Sequence, residues 1–97
     1  MFEIFHTDES RKQLKELKAD KGIEKRYKAV KKAIRFLPSN PRHKSLKTHE
    51  FTSLKGPKGE KIFEAYAEQL TPAAYRIFWY YGPDKNQITI ISITPHP

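Results

Sequence analysis

The chain contains no cysteine, and this absence excludes several kinds of chemistry. No disulfide can hold the fold together, and no thiolate can act as a nucleophile or bind a metal. The 97 residues must form a hydrophobic core without covalent help, and a chain of this length is sufficient for one such core. We therefore expect a single domain over residues 1–97, in a reducing compartment.

The sequence also lacks a long apolar stretch. No segment approaches the roughly 20 apolar residues that are needed to span a bilayer. The first six residues have neither the basic start nor the apolar run of a secretory signal. We expect a cytoplasmic protein that has no membrane partner.

Negative charge is scarce in the first part of the chain. Residues 1–58 contain sixteen lysines and arginines and seven acidic residues, whereas residues 59–97 contain three and four. The formal net charge of +8 therefore arises from the first 58 residues. A concentrated positive charge attracts polyanions and accelerates encounter with them. Nucleic acid is the leading candidate for a partner, and an acidic protein is the second.

Hydrophobic periodicity in the first 37 residues predicts one short strand followed by two helices. Residues 2–5 are β-prone and predict a strand, and residues 7–18 predict a helix capped by Thr7. Apolar residues four and three positions apart predict one face of a second helix over residues 23–37, which Pro38 ends. The glycine between the helices favours an antiparallel helical hairpin.

A long segment with loop-like composition follows the second helix. Residues 38–60 are rich in Pro, Ser, Lys, His and Gly. Such a length is unusual for a loop in a compact domain, so the segment is either functional or contains a short element. We expect Leu46, Phe51 and Leu54 to attach it to the core.

The last third of the sequence predicts three strands, at residues 61–70, 75–81 and 87–94. These segments are rich in Ile, Phe, Tyr, Trp and Thr, and turn sequences of hairpin length separate them. The resulting order is β-α-α-β-β-β. We expect an α+β fold in which a two-helix hairpin packs on one face of an antiparallel sheet.

Strand alternation predicts which side chains lie on the face that the helices leave open. Ile91 and Ile93 are expected to face the core, with Ile77 and Trp79. The open face would then contain a set of acids, cations and aromatic rings: Glu64, Tyr66, Glu68, Arg76, Tyr80 and His96. Cleavage of RNA by its own 2′-hydroxyl needs a base, an acid and a cation that stabilises the phosphorane charge. This set supplies all three.

Further residues are candidates for contact with RNA. The exposed face of the second helix and the following segment supply cations for the backbone: Lys25, Lys28, Lys32, Arg35, Lys44, Lys47, Lys55 and Lys58. Tyr66 and Tyr80 are candidates for stacking on bases. Alternatives remain open, since a charged helix face is often simply solvated and Arg76 could pair with Glu64 or Glu68 as a structural salt bridge.

Histidines in the first half lack the spacing and partners of a metal site. His6, His43 and His49 are separated by other residue types without a ligand pattern. We expect neither a metal nor a cofactor.

Three segments resemble the RelE/ParE toxin superfamily. Ala-Tyr-Arg-Ile-Phe-Trp-Tyr-Tyr at 74–81 and Ile-Thr-Ile-Ile-Ser-Ile-Thr-Pro-His-Pro at 88–97 resemble its closing hairpin. Ser-Leu-Lys-Gly at 53–56 resembles the segment ahead of its second strand. The resemblance implies a toxin that a small acidic antitoxin neutralises. RelE-like members cut mRNA on the ribosome without a metal, whereas ParE-like members inhibit gyrase.

The resemblance also implies roles for particular residues. Arg76 matches the arginine of the family's Tyr-Arg strand, and His96 falls where some members have a catalytic residue near the C-terminus. The strand before Tyr-Arg contains Glu64 and Glu68, where RelE has lysines. The leading hypothesis is an endoribonuclease in which Arg76, His96 and Glu64 or Glu68 are catalytic. The alternative is a non-catalytic protein on the same fold, either a gyrase inhibitor or a domesticated RNA-binding protein.

Overall fold

The sheet and helices of this protein were obtained from a computed structural model, which describes residues 1–95. The strands are β1 (Glu3–His6), β2 (His49–Lys55), β3 (Lys61–Tyr66), β4 (Tyr75–Tyr81) and β5 (Gln87–Pro95). The helices are α1 (Asp8–Ala19) and α2 (Glu24–Phe36), and 3-10 turns occur at Lys21–Ile23 and Lys44–Leu46. The strands form one sheet in the order β1-β5-β4-β3-β2.

This architecture confirms the predicted α+β class, with both helices on one face of the sheet. The strand at Tyr75–Tyr81 has the predicted bounds. The structure adds one strand, β2, at the edge next to β3. Neighbouring strands are antiparallel except β1 and β5, which run parallel.

Thr7 joins the start of α1 to the sheet. Its Oγ1 accepts a hydrogen bond from the backbone of Ser10 (3.1 Å) and thereby caps the helix. The same hydroxyl donates to the carbonyl of Ile91 in β5 (3.0 Å). The local capping signal in the sequence therefore also fixes where α1 meets the sheet.

The core lies between the helices and the central strand β4. Leu17 of α1 and Val30 of α2 are buried against Ile77 and Trp79. The ring of Phe63 in β3 stacks on Trp79, with 5.0 Å between the ring centroids. The helices therefore cover one face of β3, β4 and β5, and the side chains of alternate residues lie on the other face.

The segment 38–60 contains β2, which the sequence analysis did not assign. β2 pairs with β3 at His49↔Glu64 and Glu50↔Phe63, and again at Lys55↔Lys61. Four residues of β2 between these pairs oppose one residue of β3, so the strand bulges. The bulge removes the regular alternation by which a strand is recognised in a sequence.

The three leucine and phenylalanine anchors of this segment differ in their placement. Leu46 is buried in the core, as predicted. Phe51 is half-buried and contacts Phe78 with 5.0 Å between ring centroids. Leu54 is exposed, so its predicted role as an anchor is wrong. It lies in the bulged part of β2, where the strand departs from its neighbour.

A second irregularity lies in β5. Phe78 pairs with Ser92 but Trp79 pairs with Ile90, so Ile91 is an extra residue in the ladder. Ile90 and Ile93 are buried in the core, whereas Ile91 is only partly buried. The prediction that Ile91 faces the core together with Ile93 is therefore wrong, because the bulge interrupts the alternation between them.

No helix within residues 1–95 is long and apolar enough to cross a bilayer.

His6 at the end of β1 is partly buried at the start of α1. Its Nδ1 lies 3.1 Å from the hydroxyl of Ser10. Burial, and secondarily the positive charge of Arg11, lower the pKa of His6 below its ordinary value of 6.5. The folded state therefore favours the neutral ring, and the unfolded chain binds a proton first as the pH falls.

We expect the free energy of unfolding to fall as the pH decreases below about 6.5, and His6→Gln to remove part of that decrease. Urea denaturation of both proteins between about pH 7.5 and about pH 5 measures the free energy of unfolding. The contribution of His6 is the amount by which the difference in this free energy between wild type and variant changes with pH. A difference in free energy that stays constant over this range would contradict the effect assigned to His6.

Candidate functional site

Four side chains meet on the sheet face opposite the helices. They are His49 from β2, Glu64 and Tyr66 from β3, and Arg76 from β4, and we call them the open-face cluster. The register explains their proximity, since His49 pairs with Glu64 and Tyr66 pairs with Arg76 across the ladders. Directly opposed residues in a sheet have side chains on the same face.

Glu64 lies between the two basic members of the cluster. Its Oε1 lies 2.8 Å from Nε2 of His49, and its Oε2 lies 3.6 Å from Nε of Arg76. The side chains of Glu64 and Arg76 are only 10% and 12% exposed. Exclusion of water strengthens the interaction between these two side chains relative to that of a surface ion pair. The carboxylate thus orients the histidine ring and the guanidinium at the same time.

The guanidinium of Arg76 is fixed in position. Its central carbon lies 3.8 Å from the centroid of the Tyr66 ring. Nη1 donates long hydrogen bonds to the carbonyls of Glu68 (3.3 Å) and Ala74 (3.4 Å). Within residues 1–95, Nε has no hydrogen-bond partner, and it is buried against Oε2 of Glu64. A planar guanidinium in a fixed orientation is suited to binding phosphate oxygens.

His49 is the member of the cluster that the sequence analysis missed. Besides the contact with Glu64, its Nδ1 lies 3.1 Å from the carbonyl of Lys47, and its ring meets the Tyr66 ring edge-on at 5.6 Å. The side chain is 47% exposed. The sequence pattern argued against a metal ligand at this position and indicated no other role, because β2, which places His49 opposite Glu64, was not recognised as a strand.

Glu68 does not lie on the open face, so its predicted position is wrong. Its Oε1 accepts a hydrogen bond from the backbone of Tyr75 (3.1 Å) and lies 3.9 Å from Nε of Arg26 in α2. The cause is a bulge after β3, where Ala67 and Glu68 both donate to the carbonyl of Tyr75. The expected strand to residue 70 therefore ends at Tyr66, and Glu68 turns toward the helical side.

Arg26 holds the same hairpin from the helical side. Its guanidinium donates to the carbonyls of Pro72 and Ala73, each at 2.9 Å. Together with the contact to Glu68, these bonds attach the β3–β4 turn to α2. The role of Glu68 in this structure is to support the turn, and its carboxylate faces away from the open-face cluster, where it was expected to act as a complementary base.

The two tyrosines differ from their expected role as stacking platforms. Tyr80 is 6% exposed, so its ring is not accessible to a base and this prediction is wrong. Tyr66 is partly exposed, but Arg76 covers one face of its ring. Tyr66 therefore positions the arginine on that side. His96, the remaining catalytic candidate, lies outside the described residues.

The predicted RNA-binding cations are all exposed but form two groups. Four belong to α2, which packs on the other face of the sheet from the open-face cluster: Lys25, Lys28, Lys32 and Arg35. A groove of about 450 Å³ runs between Tyr27 and the long side chains of this helix. The others lie around β2 and its flanking turns: Lys44, Lys47, Lys55 and Lys58. The open-face cluster and the basic face of α2 adjoin at one cavity, which Tyr66 and Lys32 both line.

Comparison with known proteins gives matches in structure only. No protein-family model matches the sequence, and no curated protein matches it. A YoeB/ParE toxin from Agrobacterium tumefaciens superposes with a TM-score of 0.70 at 14% identity, covering 100% of both chains. A RelE–RelB complex from Pyrococcus horikoshii gives 0.65 at 16% identity, over 97% of this chain and 93% of that one.

A third similar structure is the YoeB–YefM complex from Staphylococcus aureus. It gives a TM-score of 0.68 at 15% identity and covers 100% of this chain and 99% of that one. The protein therefore has the fold of the RelE, YoeB and ParE toxins over its whole length. At this identity the likeness is one of fold, and the site has to be argued from the residues of this chain.

Replacing Glu64 by glutamine should weaken the fold, because the change removes the anion between His49 and Arg76. We expect a loss of about 1–3 kcal/mol in the free energy of unfolding. Glu50→Gln is the matched control, since Glu50 pairs with Lys55 at 3.7 Å in an exposed setting worth at most about 1 kcal/mol. Urea denaturation followed by the fluorescence of Trp79 measures both. Equal losses would show that the open-face cluster has no special energetic role.

Proposed function

We propose that this protein is the toxin of a type II toxin–antitoxin system and acts as a metal-independent endoribonuclease on mRNA. The observation on which the proposal depends is Arg76, whose guanidinium Glu64 and Tyr66 hold in a fixed orientation on the sheet face opposite the helices. The fold shared with YoeB, RelE and ParE toxins supports it. The cytoplasm is the proposed location, since mRNA is the substrate.

The chemistry uses the substrate's own 2′-hydroxyl as the nucleophile. Arg76 binds the non-bridging oxygens of the phosphate and stabilises the negative charge that grows as the hydroxyl attacks. Glu64 accepts the hydroxyl proton through Oε2, which makes no hydrogen bond within residues 1–95. The O2′–P bond forms, the P–O5′ bond breaks, and the products are a 2′,3′-cyclic phosphate and a 5′-hydroxyl.

The basic surfaces of the protein would bind the backbone of the RNA. The lysines in and around β2 would hold the RNA strand that is cut, and the carbonyl of one of them, Lys47, contacts His49 of the open-face cluster. The cations of α2 lie on the other side of the sheet and would contact a second RNA segment. An RNA target with several accessible segments, such as mRNA on the ribosome, offers both.

A small acidic antitoxin is the proposed protein partner. Two of the similar structures are complexes of such a toxin with a second protein, RelB or YefM. The net charge of +8 favours an acidic partner and provides attraction before contact.

A non-catalytic function is the second candidate, either gyrase inhibition or RNA binding by a domesticated relative. The observation in its favour is that Glu64 already contacts two basic groups, which a purely structural carboxylate would also do. Primer extension on mRNA after induction distinguishes the candidates. Cuts in mRNA favour the nuclease, DNA damage with intact mRNA favours gyrase inhibition, and RNA binding with neither effect favours the binding protein.

Arg76→Ala should abolish the growth arrest that follows induction, because the transition-state charge loses its cation. We expect RNA cleavage to decrease by about 100- to 1000-fold. Arg11→Ala is the control, since Arg11 is an exposed arginine that pairs with Asp8 on α1. Undiminished toxicity of Arg76→Ala, with the protein folded, would remove the catalytic assignment.

Neutralising the basic face of α2 should weaken binding to RNA and its dependence on salt. We expect Lys28→Gln, Lys32→Gln and Arg35→Gln together to reduce the slope of log K against log salt by about 0.7 for each phosphate that the variant no longer neutralises. The matched control is Lys12→Gln, Lys15→Gln and Lys18→Gln on α1, which changes net charge equally. Equal effects of the two triple variants would mean that α2 contributes only general charge.

A further inference from the structure

The contacts of His49 define the position of its ring and the partners of its nitrogen atoms. Its two ring nitrogens face two acceptors, the Oε1 of Glu64 at 2.8 Å and the carbonyl of Lys47 at 3.1 Å. A histidine nitrogen that carries a proton can donate to the acceptor that it faces. Arg76 also lies near this carboxylate, and the edge of the Tyr66 ring lies against the ring of His49.

The two nitrogens of His49 differ in how firmly their partners hold them. Nε2 is bound to Glu64, which is only 10% exposed and is anchored in the central part of the sheet. Nδ1 faces the carbonyl of Lys47, an exposed residue that follows the 3-10 turn. The ring itself is 47% exposed. A substrate oxygen can therefore replace the carbonyl at Nδ1, while Glu64 keeps the ring in its orientation.

We propose that His49 is the general acid of the open-face cluster, an inference that rests on the proposed nuclease function. As the P–O5′ bond breaks, its electron pair stays on the 5′ oxygen, which takes the proton from Nδ1 of His49. The proton of the 2′-hydroxyl passes to Glu64, so one proton is accepted and one is donated. Arg76 stabilises the phosphate charge between the two transfers. Glu64 is then both the base and the residue that positions the acid.

This assignment gives a testable dependence on the leaving group. An RNA with sulfur in place of the bridging 5′ oxygen at the cleavage site leaves as a thiolate, which needs no proton. Loss of a general acid should therefore slow the cleavage of ordinary RNA strongly and leave the cleavage of the sulfur-containing RNA almost unchanged. Loss of a group that only maintains the shape of the site should slow the cleavage of both RNAs.

The experiment compares His49→Gln with the wild type on both RNAs, offered as an oligonucleotide alone and on a programmed ribosome. Glutamine can still donate a hydrogen bond to Glu64 but cannot supply a proton to the leaving group. We expect cleavage of ordinary RNA to decrease by about 100-fold or more, and cleavage of the sulfur-containing RNA to stay within about threefold of the wild type. Arg76→Ala should be slow on both.

Several results would overturn the role of His49 while leaving the proposed function in place. The first is that His49→Gln cleaves ordinary RNA as fast as the wild type, and the second is that it cleaves both RNAs equally slowly. The third is that the sulfur-containing RNA restores cleavage by His96→Ala and not by His49→Gln. Failure of the wild type to cleave either RNA in either setting would instead overturn the proposed function, and the role of His49 with it.

Discussion

The carboxylate of Glu64, placed between His49 and Arg76, is the interaction on which the open-face cluster depends. It joins three strands, because His49 is on β2, Glu64 is on β3 and Arg76 is on β4. A buried anion between two basic groups compensates for the cost of removing each of them from water. Without it, Arg76 would have no fixed anionic neighbour, and the ring of His49 would be free to turn. The geometry of the proposed site is therefore a consequence of sheet register.

The sheet separates two surfaces with different roles. On one side the helices cover an apolar core, and the basic outer face of α2 is exposed to solvent. On the other side the open-face cluster has few charges, but they are held at fixed distances. Many exposed lysines provide attraction without precise geometry, whereas a buried arginine and carboxylate provide geometry with little net charge. The proposed nuclease would use both surfaces, which adjoin at the cavity that Lys32 and Tyr66 line.

Sequence patterns were reliable where the backbone is regular. The face of α2, the cap at Thr7 and the strand Tyr75–Tyr81 follow from periodicity and local hydrogen bonding, and Arg76 and Glu64 share a face because β3 and β4 pair without interruption. The errors coincide with bulges. One extra residue in a ladder moves the following side chains to the other face, which displaced Glu68 and Ile91.

By itself the sequence determined the absence of cysteine, the basic first half, two amphipathic segments, and an arginine and a glutamate on one side of a hairpin. Only the tertiary structure decided that His49 completes the open-face cluster and that Glu68 and Tyr80 do not belong to its accessible surface. The physical reason is that bulges and edge pairing are set by packing and hydrogen bonding between segments distant in the chain, which no local pattern of residues encodes.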